Sequence, residues 1–169
     1  EWGVDVAVGG AQKGLMLPPG MSFNALSPKS IAAYKTSKLP KSFFDWEDML
    51  NMNKVGFFPY TPATLMLGGL NEGIEMLHEE GLDNVFARHD RLGEAVRRAV
   101  KHWGLETLCR DPKFQSSTVT AILLPEGHDA DKFRALALEH FNISYGASFG
   151  PFAGKYFRIG HLGDTNDAT

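Results

Sequence analysis

Three places in the chain combine residue types that could do chemistry. The amine of Lys13 stands between Gln12 and Gly14, inside VDVAVGGAQKGLMLPPG at residues 4–20. A lysine kept neutral by desolvation condenses with an aldehyde to a Schiff base, whereas an ordinary loop lysine is only a solvated charge. Tyr60 and Thr61 precede Pro62 in YTPAT, which reads as a helix start. Free N–H groups at such a start favour an anion such as phosphate, and adjacent hydroxyls add neutral donors. The same pair would serve equally as an N-cap and a half-buried aromatic. Arg158, in KYFRIG, carries a planar fork that grips a carboxylate in bidentate fashion; on an edge strand it would serve equally in a structural salt bridge.

Other candidates are weaker. Lys54, Lys101 and Lys113 lack a strand-to-loop setting. His78, His89, His102, His128, His140 and His161 show no metal-ligand spacing, so no metal site is expected. His89 and His140 fall on apolar helix faces and are expected in the core. His161 lies close to Arg158 in sequence, which leaves a role beside it open.

The elements that must position these residues follow from the pattern. Val4, Val6 and Val8 alternate up to Gly9-Gly10 and predict a buried strand, with Lys13 just past its carboxyl end, where open α/β sheets bind ligands. Pro18-Pro19-Gly20 predicts a turn, and residues 21–26 a second strand. Ser27-Pro28 predicts an N-capped helix to about Thr36, and Asp45 caps a short helix over 46–54. Leu67, Leu70, Ile74 and Leu77 recur at helical spacing up to Gly81. Gly68, Gly69 and Gly73 each cost that helix up to about 1 kcal/mol relative to Ala. Three such residues predict close packing against another backbone, in the same chain or in a second subunit.

Asp83 is expected to cap the next helix, whose apolar stripe is Val85, His89, Leu92, Val96, Ala99 and Trp103, with Arg88, Arg91, Arg97 and Arg98 on a solvated face. Strands are expected over 105–109, 118–124, 143–145 and 155–159, with a helix opened by Asp129, in which Phe133, Leu136 and His140 share a side. That closing stretch is an α+β unit. No internal repeat or low-complexity segment interrupts the pattern.

Composition narrows the classes. At 43% hydrophobic and 22% charged, 169 residues suit one moderate domain or two small ones. A net charge of −3 offers no basic patch for nucleic acid. The lone Cys109 excludes an internal disulfide and fits a reducing compartment. Apolar runs such as TLMLGGL fall far short of the roughly 18 residues that span a membrane. EWGVDV shows neither initiator Met nor signal segment, and GDTNDAT ends on capping residues, so both ends read as cut from a longer protein.

GGAQKGLMLPPG, FFPYTPAT and FRIGHLGD together resemble class V pyridoxal-phosphate-dependent aminotransferases, in the branch of the serine–glyoxylate and alanine–glyoxylate enzymes. The resemblance covers nearly the whole chain. It implies an α/β fold of type I: residues 1–84 as the C-terminal part of the large cofactor domain, and 85–169 as the small C-terminal domain. It implies pyridoxal 5′-phosphate held by Lys13 as a Schiff base, with Lys13 also the proton carrier, and Gln12 on the cofactor phosphate. Tyr60 with Thr61 (or Thr64, which fits the register too) would reach the phosphate of the neighbouring subunit, so a homodimer is implied. Arg158 would hold the substrate carboxylate. The implied reaction is ping-pong transamination from serine or alanine to glyoxylate.

The family's pyridine-nitrogen aspartate, ring-stacking aromatic and glycine-rich phosphate loop would lie before Glu1, so the fragment by itself is expected to be inactive. A class V lyase or cysteine desulfurase, or a truncated non-catalytic α/β module, is the alternative. Desulfurases need a cysteine on a mobile loop and typically carry His at the place of Gln12, whereas Cys109 falls in a predicted strand.

Overall fold

The computed structural model describes residues 3–167. The chain forms two compact units, Glu1–Glu75 and Met76–Thr169. The architecture is mixed α/β.

In the first unit, β1 (Val6–Gly10) pairs antiparallel with β2 (Ser22–Leu26), Val6 opposite Leu26 and Gly10 opposite Ser22. The turn between them is pinned by Ala11 N–H donating to the Met21 carbonyl at 3.0 Å. The helix α1 (Pro28–Tyr34) starts as its sequence dictates: the Ser27 hydroxyl accepts the Ser30 N–H, and Pro28 fills the first position. Asp45 caps α2 (Trp46–Asn53) by accepting the Glu47 N–H at 2.9 Å, and it also takes a hydrogen bond from the Tyr34 hydroxyl. The Tyr34 phenol is pushed up to about 12, first by that bond to an acceptor it must keep supplying with a proton.

The valine alternation identified the strand but not its burial. Val4 and Val8 are exposed, because a two-stranded ribbon has no third layer in this unit to cover them. The helix α3 (Thr64–Glu80) accounts for Gly69 and Gly73 within the chain, whereas Gly68 has nothing within 4 Å. A Cβ at Gly73 would stand 2.8 Å from the Leu15 carbonyl oxygen, and one at Gly69 would touch the Leu17 side chain at 3.4 Å. The backbone that α3 packs against is the Lys13 loop itself.

The second unit carries α4 (Leu82–His102), β3 (Glu106–Thr107), β4 (Val119–Leu123), α5 (Ala130–Phe141) and β5 (Tyr156–Gly160). Its sheet is an antiparallel meander in the order β3-β4-β5, with Ala121 opposite Arg158. Val100, Ile122, Ala130 and Phe157 form the core, with Val96, Leu105, Leu124, Tyr145 and Ile159 packed on it. Asp129 caps α5 as its sequence predicts, accepting N–H groups of Asp131 and Lys132.

Several expectations are corrected here. Gly81, with φ +82°, occupies the N-cap of α4, so Asp83 lies in the first turn and favours the positive end of the helix dipole instead of capping it. Trp103 is 57% exposed, since it is the C-cap and the chain turns away at Gly104. His140 is exposed near the end of α5, while His89 is buried and donates from Nδ1 to the Val85 carbonyl at 2.8 Å. Residues 143–145 form no strand; only Gly146 bridges to β5. The predicted strand at 105–109 shrinks to two residues.

Arg88 also departs from the solvated face. It grips both carboxylate oxygens of Glu80 at 2.7 Å and donates to the carbonyls of Gly163 and Thr165. That clamp holds the Glu80 carboxyl below its ordinary range and ties the C-terminal segment to α4.

Candidate active site

Lys13 sits in a tight loop whose geometry is backbone-made. Its carbonyl accepts the Met16 N–H at 2.9 Å, and Leu17 N–H closes onto the Ala11 carbonyl at 3.1 Å. Met16 adopts φ +63°, a left-handed conformation seldom used by a side chain of this size, and Ala11 is fully buried beneath the loop. The Lys13 side chain is exposed, not desolvated, because no further layer of this unit lies over the loop. Its amine has no hydrogen-bond partner among the described residues, and the desolvation expected of it is not supplied by this unit. The Gln12 amide folds back over Gly10, where a Cβ would come within 3.0 Å of Oε1.

Tyr60 packs its ring on Phe43, centroids 4.9 Å apart, and stays partly exposed. Thr61 is not the N-cap of α3. Pro62 biases Thr61 toward extended backbone, and the helix starts at Thr64, with the Ala63 carbonyl taking the Leu67 N–H at 3.1 Å. The amides of Thr64 and Leu65 therefore form the free positive end. No hydrogen bond joins Lys13 or Gln12 to Tyr60 or Thr61 among the described residues.

Arg158, in the second unit, is the best-defined group. Its Nε donates to the Ala147 carbonyl at 2.8 Å, and its guanidinium lies over the Phe149 ring, 4.3 Å from the centroid. Gly146 pairs with it through both backbone groups, at 2.9 and 3.0 Å. A Cβ at Gly146 would meet Nε at 3.1 Å and Nη2 at 3.2 Å, so any larger residue here would press on the guanidinium and shift it. Among the described residues no carboxylate pairs with Arg158. Nη1 and Nη2 remain free to bind a planar anion. The sequence pointed to Arg158 but not to Gly146, Ala147 and Phe149. Their signal was the glycine-rich GASFGPFAG connection, whose contacts depend on tertiary pairing.

His161 stands three residues beyond, just past the end of β5. It is 2% exposed, with Nδ1 donating to the Ser117 carbonyl and Nε2 3.0 Å from the Thr120 hydroxyl. A Cβ on Gly93 of α4 would come within 3.0 Å of its ring. The residue locks the end of β5 to its neighbours. Burial, with Arg97 and His89 adding like charge, pushes its pKa below 6.5. The unfolded chain then takes the proton more readily, so stability should fall as pH drops from about 6.5 toward the lower folded value. Melting temperatures between pH 7 and 5 should decline more steeply for the native protein than for His161→Gln; equal slopes would contradict this assignment.

A groove of about 650 Å³ in the second unit is lined by Arg97, Arg98, Lys101 and Arg110. Glu94 engages both Arg97 and Arg98, and Glu106 faces Arg110, so its charges are largely internal. No His, Cys, Asp or Glu cluster suited to a metal occurs among the described residues, and no helix there is long and apolar enough to cross a membrane.

The chain is similar along nearly all of its length to glyoxylate aminotransferases, and it shares the mixed α/β fold of solved aminotransferases of fold type I. The chain is 50% identical over 165 residues to a serine–glyoxylate aminotransferase of Hyphomicrobium methylovorum, covering 96% of this chain and 41% of that protein. It is 48% identical over 168 residues to an L-aspartate–glyoxylate aminotransferase of Paracoccus denitrificans, covering 99% and 42%. A crystal structure of pyridoxamine–pyruvate aminotransferase from Mesorhizobium loti superposes with a TM-score of 0.89 at 31% identity, covering 95% and 42%. The chain thus spans about two fifths of the length of the curated relatives it matches. No family model matches it.

Proposed function

We propose that the protein carrying this chain is a pyridoxal-phosphate-dependent aminotransferase that moves nitrogen from a small amino acid, serine or alanine, to glyoxylate. The observation that carries the reading is the unpaired, pre-oriented guanidinium of Arg158. Donor and acceptor each bear a carboxylate, and one fork serves both halves of a ping-pong cycle. Likeness to relatives named for serine–glyoxylate and aspartate–glyoxylate exchange supports the substrate class.

The donor set fits the cofactor: an unpartnered amine, a neighbouring side-chain amide over a glycine cradle, and hydroxyls near a helix start. Bound pyridoxal phosphate supplies an aldehyde and an electron-withdrawing ring. Lys13 would hold it and would be placed to carry the substrate proton, and Gln12 would bind its phosphate. Tyr60 and Thr61 of a second subunit complete the phosphate site, which makes the active form a homodimer. Exposed apolar side chains on the same stretch, including Phe44, Phe57 and Leu65, suit such an interface. The division into a cofactor-bearing part to residue 84 and a carboxylate-binding part from 85 follows from the same reading.

The full-length protein, supplied with pyridoxal phosphate and glyoxylate, should form glycine from serine or alanine. Absence of glycine with serine, alanine and aspartate alike would overturn the assignment.

A further inference from the structure

We propose that Phe149 is a positioning residue for Arg158, and that Tyr156 sets Phe149 in place; this rests on the reading that Arg158 takes the substrate carboxylate. An arginine on an antiparallel strand has four rotatable bonds, and a fork that must meet a carboxylate edge-on loses affinity if it samples them. Three contacts remove that freedom here. The Ala147 carbonyl fixes Nε at 2.8 Å, and Gly146 leaves room for Nε and Nη2 to lie against its backbone. The Phe149 ring, 4.3 Å from the guanidinium carbon, fixes the tilt of the plane by cation–π attraction. The edge carrying Nη1 and Nη2 stays open.

Phe149 is 63% exposed, so core packing does not explain a phenylalanine there. What places it is its backbone. The Phe149 N–H donates to the hydroxyl of buried Tyr156 at 3.1 Å, and the Ser148 hydroxyl accepts the Gly154 N–H at 2.8 Å. Tyr156 lies two residues before Arg158 on β5, so the strand that carries the fork also anchors the loop that steadies it.

The test uses the full-length enzyme and reads KM and kcat for both donor and glyoxylate. Arg158→Lys comes first and should raise both KM values, because a point charge replaces the fork. Phe149→Ala should raise both by roughly two- to fivefold, the range of an exposed cation–π contact, with kcat little changed. Phe149→Tyr, which keeps a ring, should restore them, and Tyr156→Phe should give a smaller rise. Melting temperatures serve as the control for folding. If Arg158→Lys raises KM and Phe149→Ala does not, Phe149 has no positioning role and the carboxylate reading stands. Failure of Phe149→Tyr to restore KM also overturns the role. If Arg158→Lys leaves both KM values unmoved, the carboxylate reading falls and the proposal falls with it.

Discussion

Lys13→Ala is expected to abolish transamination by the full-length protein, lowering kcat by about a thousandfold or more, the scale of removing an essential nucleophile. The loop explains why no other amine can substitute. Its path is set by the 2.9 Å bond from Met16 to the Lys13 carbonyl and by buried Ala11, so it presents one side chain at one place. Lys13→Arg should be as inactive, since a guanidinium does not lose its proton at working pH. Borohydride reduction in the presence of pyridoxal phosphate should add the cofactor mass to the peptide containing Lys13 and to no other. Labelling of a different lysine, or residual turnover in Lys13→Ala near the native rate, would remove Lys13 from the reaction.

Much of this was readable in single residues because the governing interaction is local. Ser27, Asp45 and Asp129 each satisfy an N–H two or three positions ahead, and a cap of that kind needs no knowledge of the rest of the chain. Arg158 was singled out by its motif, but the Ala147 and Phe149 contacts that hold it were not. What escaped depends on partners distant in sequence. Arg88 looked like one of several surface arginines, yet it reaches Gly163 and Thr165. Ile143 and Tyr145 have strand-like composition, but Tyr145 packs between Phe133 and Phe157, and the chain pairs only at Gly146. The start of α3 was misplaced because Thr61-Pro62 is a good local signal that the chain overrides, opening the helix only at Thr64. Burial of β1 was misjudged for a related reason: alternation reveals which residues share a face, and cover is supplied elsewhere.

The glycines of α3 give the sharpest separation between local propensity and tertiary packing. Helix propensity alone predicts that alanine at Gly68, Gly69 or Gly73 stabilises by up to about 1 kcal/mol. Gly68 faces open space, so Gly68→Ala should realise that gain. At Gly69 the new methyl would meet Leu17 Cδ2 at 3.4 Å, ordinary contact with a side chain that can yield, and the outcome should be near neutral. At Gly73 it would stand 2.8 Å from the Leu15 carbonyl oxygen, and backbone cannot yield without moving the loop. Gly73→Ala should therefore cost about 1–3 kcal/mol by overpacking, despite the better helix former. Because Leu15 is two residues from Lys13, the displacement should also reach the amine, and a shift near 1 Å lowers turnover by roughly a hundredfold. Denaturant unfolding of the three variants, with turnover measured on the full-length protein, should rank them Gly68→Ala, Gly69→Ala, Gly73→Ala from most to least stable. A Gly73→Ala protein as stable and active as Gly68→Ala would mean that α3 does not press on the lysine loop, and the loop would need another support to hold Lys13 in place.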